Sequence, residues 1–221
     1  ILDINTNTEQ TLNIILANKT KLSTSWNNHS LEVKDFTWYD LSNNGSGLDN
    51  ITTRDNMTIN KTDTYMWFEG TNPNKSWVKF EDLVFSLPKE ISFIFKVSGS
   101  FYIGISNITT NTTSNYQPGE GLFLAHFSNN KTFKAIKTQN NYCVNSTNFE
   151  KEDILKLKIS YPNYVLYKLP SSDKSNWDNE DTIIVQGSCS CTITIPTQVV
   201  PFIIPRNDSD NSFYAIQVKD I

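Results

Sequence analysis

The sequence predicts an all-β chain, an antiparallel β-sandwich of jelly-roll type with an N-terminal arm or small subdomain. Three observations carry this. Short runs rich in β-branched and aromatic residues recur along the chain. Asn, Ser, Asp, Gly and Pro separate them. No sustained apolar pattern at i, i+3, i+4, i+7 exists, so helix is expected to stay below about 10%, far under the usual share.

The expected strands are, in order, Thr11–Ala17, Leu31–Trp38, Thr64–Glu69, Ser76–Phe80, Ile91–Val97, Phe101–Ser106, Gly121–Phe127, Thr132–Lys137, Ile154–Ser160, Tyr164–Leu169, Thr182–Gln186, Cys189–Ile195 and Ser212–Lys219. Several alternate with period two, the mark of a sheet with one buried face. Leu155, Leu157 and Ile159 oppose Lys156, Lys158 and Ser160. Cys189, Cys191, Ile193 and Ile195 oppose Ser190, Thr192 and Thr194. Tyr214, Ile216 and Val218 oppose Phe213, Ala215 and Gln217. Ile91–Val97 is apolar on nearly both faces and should be central. Residues 1–60 are sparser in strands and are expected to form the arm or subdomain, with 61–221 forming the sandwich. The polar stretch 41–50 is the expected long loop.

The 221 residues include 12% aromatic and only 19% charged residues, with a formal net charge of -4. This charge does not suit nucleic acid or an anionic membrane, both of which require a basic footprint. No apolar run reaches the roughly 18 residues of a membrane span. The chain opens on Ile1 rather than Met, as a processed product would, and any anchor would lie outside it.

Twelve Asn-x-Ser/Thr acceptors stand at Asn18, Asn28, Asn44, Asn50, Asn56, Asn60, Asn74, Asn107, Asn111, Asn130, Asn145 and Asn207. Random placement of the chain's Asn, Ser and Thr would give about 5.5, so the excess is roughly twofold and points to N-glycosylation. The competing explanation is an Asn-rich composition. Six sites precede residue 63, and none falls between Ser146 and Arg206. N-linked glycans are bulky and face solvent, which places the chain outside the cell or at its surface.

Three cysteines fit that compartment if two of them pair. Cys189 and Cys191 lie two apart on an expected strand, on the same face, and do not easily join each other. Cys143 is therefore expected to pair with Cys189 or with Cys191.

From Trp77 onward the order of elements resembles a lectin-like, concanavalin-like jelly roll. It is more similar still to the farnesoic-acid-O-methyltransferase-like sandwich module of extracellular animal proteins. The resemblance is carried by residues 91–106, by 127–137, and by the pair Ile154–Ser160 and Tyr164–Leu169. It covers about half the chain and implies a fold and an extracellular setting. The paired glycines and the Trp of that module are absent, with Ala125 and His126 in their place. No Gly-rich strand-to-helix turn is present to hold S-adenosylmethionine, and no cofactor is expected.

Catalytic constellations are missing. The two histidines, His29 and His126, lack a Gly-x-Ser-x-Gly elbow to serve. The paired carboxylates of a glycosidase, alternating along one strand, do not occur. No metal is expected. Asp208 and Asp210 form a weak calcium candidate, which equally reads as a turn. Trp177, in a polar loop of the sequon-free half, is the ligand-binding candidate, because sugars stack on exposed aromatics. Its alternative is a loop Trp folded back onto the core. The function expected is therefore non-enzymatic: a structural or adhesive surface protein, self-associating or binding another surface protein as in a coat or filament, with a carbohydrate-binding module as the alternative. Lys156, Lys158, the Trp177 loop and apolar Val199–Ile204 are the expected contact surface.

Overall fold

The computed structural model describes residues 12–15, 21–25, 30–34, 36–45, 48, 50–53, 57–69, 77–107, 121–138, 141–143, 147–189, 195–206 and 211–221. Three short strands come first: β1 (Leu12–Ile15), β2 (Lys21–Ser25) and β3 (Ser30–Lys34), which pair in that order. Then follow β4 (Phe36–Asp40), β5 (Ile51–Thr53), β6 (Thr58–Lys61), β7 (Met66–Glu69) and β8 (Val78–Phe80). The middle of the chain gives β9 (Lys89–Lys96), β10 (Phe101–Asn107), β11 (Gly121–Ser128), β12 (Thr132–Thr138), β13 (Asn141–Tyr142) and β14 (Thr147–Asn148). The last strands are β15 (Ile154–Ser160), β16 (Asn163–Leu169), β17 (Thr182–Ser188), β18 (Val199–Pro205) and β19 (Ser212–Asp220). Among the described residues there is no α-helix, only single 3-10 turns such as Glu81–Leu83.

The expected sandwich is what forms. Sheet I runs β17-β16-β15-β9-β19-β7-β6, with β4 also on β19. Sheet II runs β13-β12-β11-β10-β18-β8-β5, with β14 on β12. Among the described residues every ladder is antiparallel, as strands joined by short turns require. Period-two patterning sends one set of side chains between the sheets. From sheet I these are Ile91, Phe93, Phe95, Leu155, Leu157 and Ile159, none more than 1% exposed. Phe101 and Phe127 of sheet II meet Phe95 and Phe213 of sheet I at ring distances of 4.7–5.5 Å, and such edge-to-face contacts add to the area buried. Gly104 marks the close approach of β10 to β11, since a Cβ there would lie 2.0 Å from the Phe123 carbonyl oxygen.

The structure revises several expectations. Segment 36–60, expected with the arm, is hydrogen-bonded into the sandwich: β4 on β19, β5 on β8 and β6 on β7. Val199–Ile204, expected on a contact surface, is central strand β18 between β10 and β8. The phase of the last strand breaks at a bulge between Phe213 and Ala215. Phe213 and Ile216 face the main core, while Tyr214 and Ala215 both pack on the opposite face of sheet I. The expected strand Cys189–Ile195 falls mostly outside the described residues.

Cys143 pairs with Cys189, with Cα atoms 5.5 Å apart. Cys143 follows edge strand β13 of sheet II, and Cys189 follows edge strand β17 of sheet I. The bond thus staples the two sheets along one side. On the other side, between edge strands β5 and β6, the sandwich opens into a groove of about 410 Å³ lined by Asn43, Leu48, Ile51, Ile59 and Lys61.

Candidate functional site

Among the described residues, a dense group of polar and aromatic side chains lies on the outer face of sheet I. The alternation that buries Leu155, Leu157 and Ile159 turns Lys156 and Lys158 outward from central strand β15. In register beside them stand Tyr167 of β16, Ser92 and Ile94 of β9, and Gln217 of β19, with Trp38 of β4 paired to Gln217. One row across the face therefore reads Lys158, Ser92, Gln217, Trp38.

The connection between β16 and β17, residues 170–181, folds over this face. Its Ser, Asp and Asn residues form the local turns: Asn176 Nδ2 donates to Ser171 Oγ at 3.0 Å, and the Asp181 amide donates to Asn179 Oδ1 at 3.0 Å. Half the face beneath it is apolar, and burying that half is what holds the loop down. Trp177, 4% exposed, packs onto Ile94, Leu169, Tyr214 and Ala215, and its Nε1 donates to the Ser172 carbonyl at 2.9 Å. Trp177 is thus folded inward, and its ring is closed to solvent. The half-buried indole at this site is Trp38, whose Nε1 donates to Asp178 Oδ1 at 2.8 Å. Lys174 pairs with Asp40 at 2.6 Å.

The other half of the face is polar, and the loop closes it with Glu180. Lys156 Nζ donates to Glu180 Oε1 at 2.8 Å, and Lys158 Nζ donates to Oε2 at 2.5 Å. The Tyr167 hydroxyl donates to Oε2 at 3.3 Å. Glu90 lies 3.9 Å from Lys158 and accepts from the Ser160 hydroxyl at 2.9 Å. Lys156 Nζ sits 5.5 Å from the Trp38 ring and 5.9 Å from the Tyr167 ring, within cation–π range. Burial favours the neutral form of Glu180, but hydrogen bonds from Lys156 and Lys158 outweigh it and hold the carboxyl below its ordinary value. Lys158 is pushed the other way. Burial lowers it, yet the Glu180 bond and the Glu90 charge carry it above the usual lysine value.

Two polar atoms in this row have no hydrogen-bond partner although they are buried: Ser92 Oγ and Gln217 Nε2, on residues 0% and 4% exposed. Orphaned buried groups are rare in native structures.

Other sequence candidates are dispersed. His126 lies on the outer face of sheet II, stacked on Tyr102 at 4.5 Å. Burial, with the charges of Arg206 and Lys134, lowers it to about 4, so it is neutral at physiological pH. The charges that act on it among the described residues, Arg206 and Lys134, are cationic, the opposite of the carboxylate that orients a catalytic base. Asn44, Asn50 and Asn130 are exposed, and Asn107 ends β10. Asn60 differs, because its Nδ2 is buried and unbonded. The other seven sequons, Cys191, His29, Asp208 and Asp210 lie outside the described residues. Among the described residues no group of three or more His, Cys, Asp or Glu could hold a metal ion. The role of Lys156 was concealed in the sequence by its alternation with core residues, which reads as a wet face. The approach of Glu180 and Trp38, from 24 and 118 positions away, left no sequence signal.

The chain has a lectin-like β-sandwich fold. It is similar to the VIP36 exoplasmic/lumenal domain in its Ca2+/Man3GlcNAc-bound form, with TM-score 0.56 and 8% identity over 83% of this chain and 88% of that one. The same domain in its Ca2+/Man-bound form gives TM-score 0.54 at 6% identity, covering 83% and 90%. The Emp46p carbohydrate recognition domain in its potassium-bound form gives TM-score 0.52 at 12% identity, covering 82% and 96%. No family model matches the sequence, and no curated protein does. At these identities the likeness establishes the fold alone.

Proposed function

We propose that the chain is a non-catalytic carbohydrate-binding module of an oxidising compartment, extracellular or within the secretory pathway, and that it holds glycans on the outer face of sheet I. The observation that carries this is the row ending in Trp38. A half-buried indole bonded to Asp178 stands in one row with the unpartnered Ser92 Oγ and Gln217 Nε2, and Lys156 joins it to Glu180, an arrangement of a stacking surface with acceptors and donors for hydroxyls. The lectin-like neighbours support the class, and the Cys143–Cys189 bond supports the compartment. Binding of the full glycosylated chain to a glycan array tests it. Trp38→Ala is expected to abolish the signal, with a melting curve confirming the fold, while Lys131→Ala on the far sheet leaves it intact. An array without signal for the wild type would remove the reading.

A second reading, lateral self-association, is favoured by β17. This edge strand, Thr182–Ser188, carries no charge and no proline, and Ile183 is 51% exposed. Natural edges are usually protected by such residues. The β17 edge replaces Val199–Ile204 as the surface for that reading. Sedimentation of wild type against Ile183→Lys tests it: a dimer that the lysine dissolves would support it, and a monomer at high concentration would remove it.

A further inference from the structure

Building on the carbohydrate-binding reading, we infer that Glu180 stands in for the carboxylate of an acidic sugar, and that a sialic or uronic acid displaces it from the Lys156–Lys158 cradle.

The donors and the acceptor belong to different kinds of element. Lys156 and Lys158 rise from β15, in the middle of sheet I, and Tyr167 rises from neighbouring β16. All three converge on one carboxylate through both of its oxygens. The carboxylate comes from the loop end, and its side chain is 38% exposed while that of Lys156 is 3% exposed. The fixed part is a carboxylate receptor and the loop part is its occupant. Charge-assisted bonds of this kind are the strong ones, so an exchange of one carboxylate for another conserves them.

Burial then sets the ligand class. If Glu180 withdrew for a neutral sugar, the Lys156 ammonium would remain in a site closed by Trp38 and Tyr167 without a counter-charge. Leaving a buried charge uncompensated is strongly unfavourable, and this selects against neutral ligands at the cradle. The closed state is also incompletely bonded. Ser92 Oγ and Gln217 Nε2, next in register to Lys158, find no partner while Glu180 is in place. A sugar brings hydroxyls as well as a carboxylate. With its carboxylate on the lysines, it extends along the row to those two atoms and to the Trp38 ring.

Calorimetric titration of the full chain tests this with three oligosaccharides of one core, ending in N-acetylneuraminic acid, in glucuronic acid, or in neutral galactose. The acidic compounds are expected to bind at least about tenfold tighter than the neutral one, and their ratio shows which acid fits. Lys158→Met is expected to remove that preference. Glu180→Gln keeps the shape and one acceptor oxygen but removes the competing charge, and should raise acid-sugar affinity. Should that variant fold poorly, hydrogen exchange on the wild type reads the same step: amides of residues 170–181 should exchange faster once the acidic sugar binds, and unchanged exchange would overturn the displacement. Neutral and acidic sugars binding alike would refute the inference. So would an acidic peptide binding as tightly as the sugars. If neutral glycans bind, Trp38→Ala abolishes them and Lys158→Met does not, the carbohydrate reading stands and this inference fails. If no glycan binds, both fail.

Discussion

At Lys156 the chain buries a cation that strand alternation alone would leave in water. The residue is 2% exposed, and Glu180, Trp38 and Tyr167 make the position tolerable. Buried ion pairs are asymmetric in their energetics: breaking one by removing a single partner costs about 3–5 kcal/mol, while an apolar replacement of similar volume is often nearly neutral. Glu180→Leu is therefore expected to destabilise by about 3 kcal/mol in urea unfolding, and Lys156→Met by much less. The pH profile follows from the same groups. Glu180 has a lowered folded-state value, so its contribution is present above the ordinary carboxylate value and fades as pH falls through the folded one. Lys158 has a raised value, so its contribution is present below the ordinary lysine value and fades as pH rises through the folded one. His126 adds a separate acid-side slope. Its value falls from 6.5 to about 4 on folding, so the unfolded chain takes up a proton first as pH drops between them. Partial exposure trims the effect to about 1–3 kcal/mol by pH 4. His126→Gln should flatten the thermal melting profile across that range. A slope unchanged in the variant would assign it to carboxylates instead.

At the scale of elements, most strands were legible, because period two and turn residues are local signals. Ile154–Ser160 matches β15 to the residue, and Ile91–Val97 proved central as its two apolar faces required. Errors arose where one element answered to a distant one. Val199–Ile204 is apolar and lies in the stretch without acceptors, which points to a contact surface, and a run apolar on both faces is equally the mark of a central strand. Its ladder to β10 runs the whole strand, Val199 to Pro205, while its ladder to β8 covers only Phe202 and Ile203. The β19 bulge was hidden because an alternating pattern reads the same whichever face a bulge moves it to. Trp177 posed a choice that spacing could not make, since the apolar patch beneath it is assembled from β9, β16 and β19. The disulfide was narrowed to two partners by same-face geometry, and the structure selects Cys189. That bond closes a separation of 46 residues, worth about 4 kcal/mol in the chain-entropy account. Cys189→Ser should lower stability by about 2–4 kcal/mol in chemical unfolding. A change below about 1 kcal/mol would show that the sheets hold that edge together without the staple.

Across the described part of the molecule, the acceptor sites and the candidate site occupy different strands. Asn50 adjoins β5, Asn107 ends β10 and Asn130 lies in the turn from β11 to β12, all in sheet II. Asn44 lies between β4 and β5, and Asn60 lies on edge strand β6, beside the open groove. The strands that build the Lys156–Trp38 face, β15, β16, β9, β19 and β4, carry no acceptor site. Glycans at these five described acceptors would thus stand on strands and turns other than those that build the Lys156–Trp38 face. Within this pattern Asn44, Asn50 and Asn130, being exposed, are expected to carry glycan at high occupancy by peptide mass spectrometry. Asn60 is expected to be poorly occupied, because its Nδ2 must leave a buried position to carry a sugar. The arrangement makes one further demand. Trimming native protein with an endoglycosidase should reduce its mass by several glycans yet leave the affinity for a glycan ligand within about twofold, since none of the strands that build the Lys156–Trp38 face carries an acceptor. A loss of binding on trimming would move the ligand to the glycan-bearing side, and an unchanged mass would return the sequon excess to composition.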